Sequence, residues 1–215
     1  MNRRFYEGMV LSLILIISIV AGCSADGKEK RTNTKVSNGA EDKDWINNFK
    51  KAHMGVQETC LLYADEEKAI IYDIPGLIIY DIKNRKITQT IDFSEIGVKY
   101  LQGSEAYSVY ITSEADYILF EQAEQRNRCV YDIKQGTLNK NTKEIEKLFV
   151  PSNYYNSYLD TISLPDNAPS VVGQGVELSD DKYIYLSNQS SDDKLEGLEI
   201  VILTGDKMSV IPVFE

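Results

Sequence analysis

Apolar positions in this chain fall into short runs of β-branched and aromatic residues, each entered through a polar, acidic turn, and the plan occurs three times. Asp65-Glu66-Glu67-Lys68 leads into Ala69-Ile70-Ile71-Tyr72, and Ser113-Glu114-Ala115-Asp116 leads into Tyr117-Ile118-Leu119-Phe120. Ser179-Asp180-Asp181-Lys182 leads in the same way into Tyr183-Ile184-Tyr185-Leu186. Runs of this length, rich in Ile, Val and Tyr and bounded by turn residues, predict strands and not helices. Downstream, Ile79-Tyr80-Asp81-Ile82-Lys83 recurs 51 residues later as Val130-Tyr131-Asp132-Ile133-Lys134, each time followed by a polar turn and another short segment. The third unit continues as Ile200-Val201-Ile202-Leu203, a Thr204-Gly205-Asp206-Lys207 turn, and Met208 to Phe214.

Each unit therefore reads as four strands joined by three tight turns. The clearest hairpin is Ile70 to Ile74, then Pro75-Gly76, then Leu77 to Ile82, with the proline at a turn position that needs no amide donor. Repeating meanders of this length predict a mostly β fold of three antiparallel units resembling propeller blades. Three units are fewer than the roughly four to eight blades of a closed propeller, so an incomplete or irregular one is expected. Helix is expected only in the apolar leader, near Trp45 where Ile46, Phe49 and Met54 follow at near-helical spacing, and at Thr142 to Phe149. Residues 141 to 170 fit the repeat poorly and read as an insertion.

The first residues follow a different pattern. Arg3 and Arg4 precede a 12-residue apolar run, Met9 to Val20, which is short of the ~20 residues that span a bilayer and ends in Val20-Ala21-Gly22-Cys23. That ending resembles a bacterial lipoprotein signal, which implies diacylation of the Cys23 thiol and cleavage before it. Two acyl chains give stable anchoring where one gives marginal binding, so the expected address is the extracytoplasmic face of the cell membrane. Residues 1–22 are then a signal peptide. Residues 23–43, with almost no large apolar side chain, form a tether too polar to offset its ordering entropy, and 44–215 form the β-repeat domain.

Charge narrows the partners. Loss of Arg3, Arg4 and Glu7 with the leader takes the chain from -10 to -11. Such a chain is repelled by nucleic acid, which leaves the membrane anchor and a protein or cell-wall ligand as expected partners.

Trp45, Glu58-Thr59-Cys60-Leu61-Leu62-Tyr63, Gly76-Leu77-Ile78-Ile79-Tyr80-Asp81-Ile82 and Ile87-Thr88-Gln89-Thr90-Ile91-Asp92 occur in an order that resembles repeat-containing extracytoplasmic segments. These segments are appended to beta-lactam-sensing-type membrane metallopeptidases of Firmicutes. The resemblance covers residues 44 to about 140. It implies a sensing or binding domain outside the membrane, and not catalysis, because the HExxH motif of those peptidases is absent from the sequence.

Chemistry-bearing residues are few. With Cys23 lipidated, Cys60 and Cys129 remain, either as a disulfide, which an extracytoplasmic setting allows, or as two buried thiols, which the usual burial of free cysteine favours. The single histidine, His53, reads as a helix-surface or capping residue, and no catalytic residue, metal site or cofactor is expected. Asp180-Asp181 and Asp192-Asp193 leave open a carbohydrate-active enzyme with an acidic pair, although acidic turns between strands are usually only solvated. Asn153-Tyr154-Tyr155-Asn156-Ser157-Tyr158 offers aromatic faces with amide donors, so Asn153, Tyr154, Tyr155, Asn156 and Tyr158 are the expected ligand-binding residues. The alternative is that these rings pack back onto the sheets. The function expected is binding or sensing of an extracellular ligand or partner protein; a structural surface lipoprotein is the third reading.

Overall fold

The computed structural model describes residues 59–94, 96–98, 107–122, 128–140, 142–150, 155, 158–159, 164–189 and 197–214, together with residue 47. The first meander comprises β1 (Cys60–Ala64), β2 (Lys68–Asp73), β3 (Gly76–Asp81) and β4 (Lys86–Asp92). The second comprises β5 (Tyr107–Ile111), β6 (Tyr117–Gln122), β7 (Arg128–Asp132) and β8 (Thr137–Asn139). A helix, α1 (Thr142–Leu148), follows where the sequence predicts one. The third sheet holds a two-residue β9 (Tyr158–Leu159), then β10 (Val172–Ser179), β11 (Lys182–Asn188), β12 (Leu198–Thr204) and β13 (Lys207–Pro212). In every sheet consecutive strands are antiparallel neighbours, and the three sheets do not close into a barrel. The fold is therefore mostly β, as the repeat predicts. Of the helix expected near Trp45, only Asn47 is among the described residues, where it is helical; the rest of that segment lies outside them.

Strand alternation explains how the sheets stack. Successive side chains point to opposite faces, and both faces of the first sheet are apolar. Ala69, Ile71, Ile78 and Tyr80 pack with Val176, Ile184, Leu186 and Ile200 of the third sheet. Ile70, Leu77, Ile79 and Ile91, from the same strands, pack with Ile111, Ile118, Phe120 and Tyr131 of the second sheet. The first sheet is thus the middle layer, which is why Ile70-Ile71 and Leu77 to Tyr80 are continuous apolar runs and not alternating ones. The far face of the second sheet presents Leu119 and Val130 to Ile145 and Phe149, one helical turn apart at α1.

Two bulges in the first sheet adjust its phase. In β1 the register shifts between Leu61 and Tyr63, so Leu62 and Tyr63 both join the second-sheet interface while Leu61 and Ala64 join the third. Between β3 and β4, Ile79 pairs with Gln89 and Tyr80 with Ile87, leaving Thr88 unpaired, with its hydroxyl donating to the Ile79 carbonyl at 3.1 Å. As a result Ile87 and Ile91, four residues apart, serve opposite interfaces. A regular strand would have put them on one face.

The recurring Tyr-Asp-Ile-Lys segments build the same turn twice. Asp81 accepts the Asn84 amide at 2.8 Å and Asp132 accepts the Gln135 amide at 2.8 Å. The Ile82 and Ile133 amides reach back to the carbonyls of Glu67 and Asp116, at 2.8 and 3.0 Å. Each turn needs a left-handed residue, supplied by Gly136 (φ 63) in the second sheet and by Arg85 (φ 51) in the first. Between β2 and β3, residues Ile74 and Pro75 form a two-residue loop closed by the Asp73 and Gly76 pair. Asp73 is fully buried there; its carboxylate accepts from the Thr59 hydroxyl at 2.7 Å and the Ile74 amide at 2.6 Å.

Two stability changes follow from these turns. A β-carbon on Gly76 would overlap the backbone oxygen of Ile91, which cannot swing aside as a side chain does. Gly76→Ala is expected to cost about 3 kcal/mol in urea unfolding, in line with overpacking against rigid surroundings. Arg85→Gly, which removes the left-handed strain that Gly136 avoids in the second sheet, is expected to gain about 0.5 kcal/mol and raise Tm. An unchanged or lowered Tm would show that the turn is not strained.

Candidate functional site

Of the tyrosine-rich segment, Asn153, Tyr154 and Asn156 lie outside the described residues, as do Cys23, His53 and the Asp192-Asp193 pair. Tyr158 is placed by its backbone alone, which pairs with Val176 to make β9 the edge of the third sheet. Tyr155 is half-buried and fully occupied. Its amide donates to the Ile111 carbonyl at 2.9 Å, tying it to the end of β5. Its hydroxyl donates to the Ala64 carbonyl at 2.8 Å, at the end of β1, and its ring meets Tyr63 at 4.5 Å between centroids. Tyr63 in turn donates to Asp65 at 2.9 Å and lies under the Lys68 ammonium, 5.2 Å from the ring centroid. Burial, and then the Asp65 hydrogen bond, push the Tyr63 phenol well above its usual range. Tyr155 therefore joins the first and second sheets, with its ring packed against the apolar clusters of both interfaces.

Cys60 and Cys129 are free thiols on strands of different sheets, β1 and β7. Cys60 sits beside Gly173 at the start of β10, whereas Cys129 belongs to the apolar cluster between the first and second sheets. The bridge that the cysteine count allows is not formed. Burial pushes both thiols up to about 11; the negative charge of Asp73 adds to the effect at Cys60, and Lys140 partly offsets it at Cys129. A thiol that high is protonated at neutral pH and is a poor nucleophile.

Asp180 and Asp181 form the turn between β10 and β11. Their backbones are used, the Asp180 carbonyl accepting from the Tyr183 hydroxyl at 3.2 Å and the Asp181 carbonyl from the Gly205 amide at 2.8 Å. Lys182 next to them reaches Glu66, at 2.9 Å, so the acidic turns of the first and third sheets lie side by side. Both are exposed. Among the described residues there is no group of three or more His, Cys, Asp or Glu side chains arranged to hold a metal ion.

The third sheet carries a feature that sequence reading missed. Ile184, Leu186 and Ile200 face the first sheet, so Tyr185, Ser187 and Glu199 face the opposite way. Ser187 lies directly across from Glu199, and Tyr185 across from Val201 one step along the same face. Tyr185 is 0% exposed and Ser187 1%. Three oxygens here, Tyr185 Oη, Ser187 Oγ and Glu199 Oε2, are shielded from solvent and have no hydrogen-bond partner. Burying an unsatisfied polar group costs roughly 1–3 kcal/mol, so three on one sheet face stand out among the described residues. The other two such atoms among the described residues, Glu121 Oε1 and Arg128 Nε, lie 2.9 Å apart as an ion pair. Desolvation raises the Tyr185 phenol, which keeps it protonated and able to donate as well as accept. The only sequence signal was Ser187 and Glu199 at cross-strand positions in otherwise apolar strands, which is visible only once the register is known.

The Tyr155 geometry makes a direct prediction. Tyr155→Phe keeps the ring and deletes the hydroxyl that holds Ala64, and is expected to lower stability by about 1 kcal/mol in chemical denaturation. No loss would mean that the hydroxyl is not a fastening of the fold.

No family model, no curated protein and no solved structure matches this chain.

Proposed function

We propose that this protein is a membrane-anchored extracytoplasmic lipoprotein whose stacked, blade-like sheets form a binding or sensing module for an extracellular ligand or partner protein. The anchor is supported by Val20-Ala21-Gly22-Cys23 closing a short apolar run behind Arg3 and Arg4. The observation that carries binding is the patch of partnerless, solvent-shielded oxygens on Tyr185, Ser187 and Glu199, because a fold retains unsatisfied polar groups mainly where something else satisfies them. The blade-like reading is supported by the identical turns after β3 and β7 and by β1 lying against both β5 and β10, so that leading strands of the sheets come together. The buried thiols favour binding over cysteine chemistry, and the acidic turns serve as solvated strand connections that keep a surface protein soluble.

The anchor is testable in a bacterial host. Cys23→Ser is expected to leave the protein as an uncleaved precursor or release it from the membrane fraction, and metabolic labelling with a fatty acid is expected to be lost. Normal processing and unchanged fractionation of the variant would overturn the anchor.

A further inference from the structure

The outer face of the third sheet is closed by something other than the sheets described above. We propose that it is the docking surface for the chain's own segment 45–56, an amphipathic helix that lays Trp45, Phe49, Ala52 and Val56 across Tyr185, Val201 and Leu203. The inference goes beyond the binding reading, since it concerns what shields this face within the chain itself, and it holds whether or not Cys23 carries lipid.

Tyr185, Val201 and Leu203 are 0%, 0% and 3% exposed, yet they join none of the three apolar clusters that the described residues form. Ile184, Leu186 and Ile200, on the other face of the same strands, all pack against the first sheet. A cover for the outer face therefore comes from residues outside the described ones, and within 44–215 the segment before β1 is the richest of these in large apolar side chains. It holds Trp45, Ile46, Phe49, Met54 and Val56, whereas the connection from β11 to β12 holds only Leu195.

Asn47 gives the segment its phase, because it is helical and exposed. At 3.6 residues per turn, Trp45, Phe49, Ala52 and Val56 fall on the side opposite Asn47, at the i, i+4, i+7, i+11 spacing of one buried face. Position and reach agree with this. Thr59 and Cys60, where the segment enters β1, lie against Gly173 of β10. A helix over 45–56 is about 18 Å long, more than the ~10 Å from β10 across to β12. An apolar cover also accounts for the three oxygens. Phe49, Ala52 and Val56 carry no side-chain donor, so they shield Tyr185 Oη, Ser187 Oγ and Glu199 Oε2 from water without bonding them, which is the condition of these atoms. Docked there, the segment makes the tether of residues 23–43 leave the domain from the outer face of the third sheet.

The chain has one tryptophan, so its fluorescence reads the site directly. In the full chain Trp45 is expected to emit to the blue of the urea-unfolded protein and to resist quenching by acrylamide. Ala52→Asp, which puts a charge on the docked face, is expected to move the emission to that of the unfolded chain and to raise quenching several-fold, while the strand signal in circular dichroism is kept. Asn47→Asp, on the opposite side of the helix, is expected to change neither. Leu203→Ala ties the cover to this sheet. In that variant Trp45 quenching is expected to rise, and its loss of Tm combined with that of Phe49→Ala is expected to be less than the sum of the two alone, as for residues in contact. A native emission equal to that of the unfolded chain would overturn the docking, as would additive effects of Leu203→Ala and Phe49→Ala. A blue-shifted emission that moves red on dilution, as a dimer dissociates, would overturn it in favour of a second copy of the chain. None of these readouts depends on lipid or ligand, so failure of the Cys23→Ser test leaves the docking intact.

Discussion

Everything in this fold depends on the first sheet being buried on both faces. Its strands supply Ile71, Ile78 and Tyr80 to one interface and Ile70, Leu77 and Ile79 to the other, so one meander organises two cores. Each fully buried aliphatic side chain contributes roughly 1.5–3 kcal/mol, and neither outer sheet has a second partner of comparable apolar area among the described residues. On its far side the second sheet adds, among the described residues, only Ile145 and Leu148 of the short helix and Phe149 just after it. A sheet in that middle position can tolerate almost no polar side chain on either face. The buried carboxylate of Asp73 is admitted because it sits at the strand end, where the Thr59 hydroxyl and the Ile74 amide satisfy it.

Serving two interfaces imposes a phase problem, and bulges resolve it. A strand that twists between two partners needs its apolar residues to change sides at a chosen point, which strict alternation forbids. The register shifts at Leu61/Tyr63 and Ile79/Tyr80 provide that change on strands β1 and β4, the two edges of the middle sheet. Tyr155 then fastens one of these edges from outside the repeat. Its amide and hydroxyl bridge the ends of β5 and β1, turning an inserted segment into a clasp between two sheets. Loop tyrosines offer binding surfaces in many proteins, but a ring packed on Tyr63 with its hydroxyl committed to a carbonyl is spent on structure.

The third sheet differs from the other two in what it keeps on its outer face. Where the second sheet offers Leu119 and Val130 to a helix, the third sets Ser187 and Glu199 opposite one another beside Tyr185. Partnerless oxygens in a low-dielectric setting weaken the free protein, and the same setting strengthens any hydrogen bond a ligand brings to them. Both outer faces are buried; the second sheet closes its own with apolar contacts, whereas the third buries three oxygens that lack a partner among the described residues.

How much of this was legible beforehand follows from the range of each interaction. The strands, the two Tyr-Asp-Ile-Lys turns, the Gly205-Asp206 hairpin and the helix at Thr142 are decided by residues within a few positions of one another, so the sequence determined them; the first hairpin is legible as a hairpin too, but its loop is Ile74-Pro75 and not Pro75-Gly76. It also determined that the sheets would be antiparallel meanders, since tight turns permit nothing else. The proposed lipid anchor is likewise a local reading, resting on the four consecutive residues Val20 to Cys23. Only the tertiary structure decided that the first sheet is the middle layer, that Tyr155 is a clasp and that Cys60 and Cys129 stay apart on different sheets. Tyr185 and Ser187 share a face by simple alternation along β11, but Glu199 lies beside them only because β11 and β12 pair in one particular register. A shift of a single residue would send every side chain to the opposite side, and that choice belongs to the packed core and not to the strand itself.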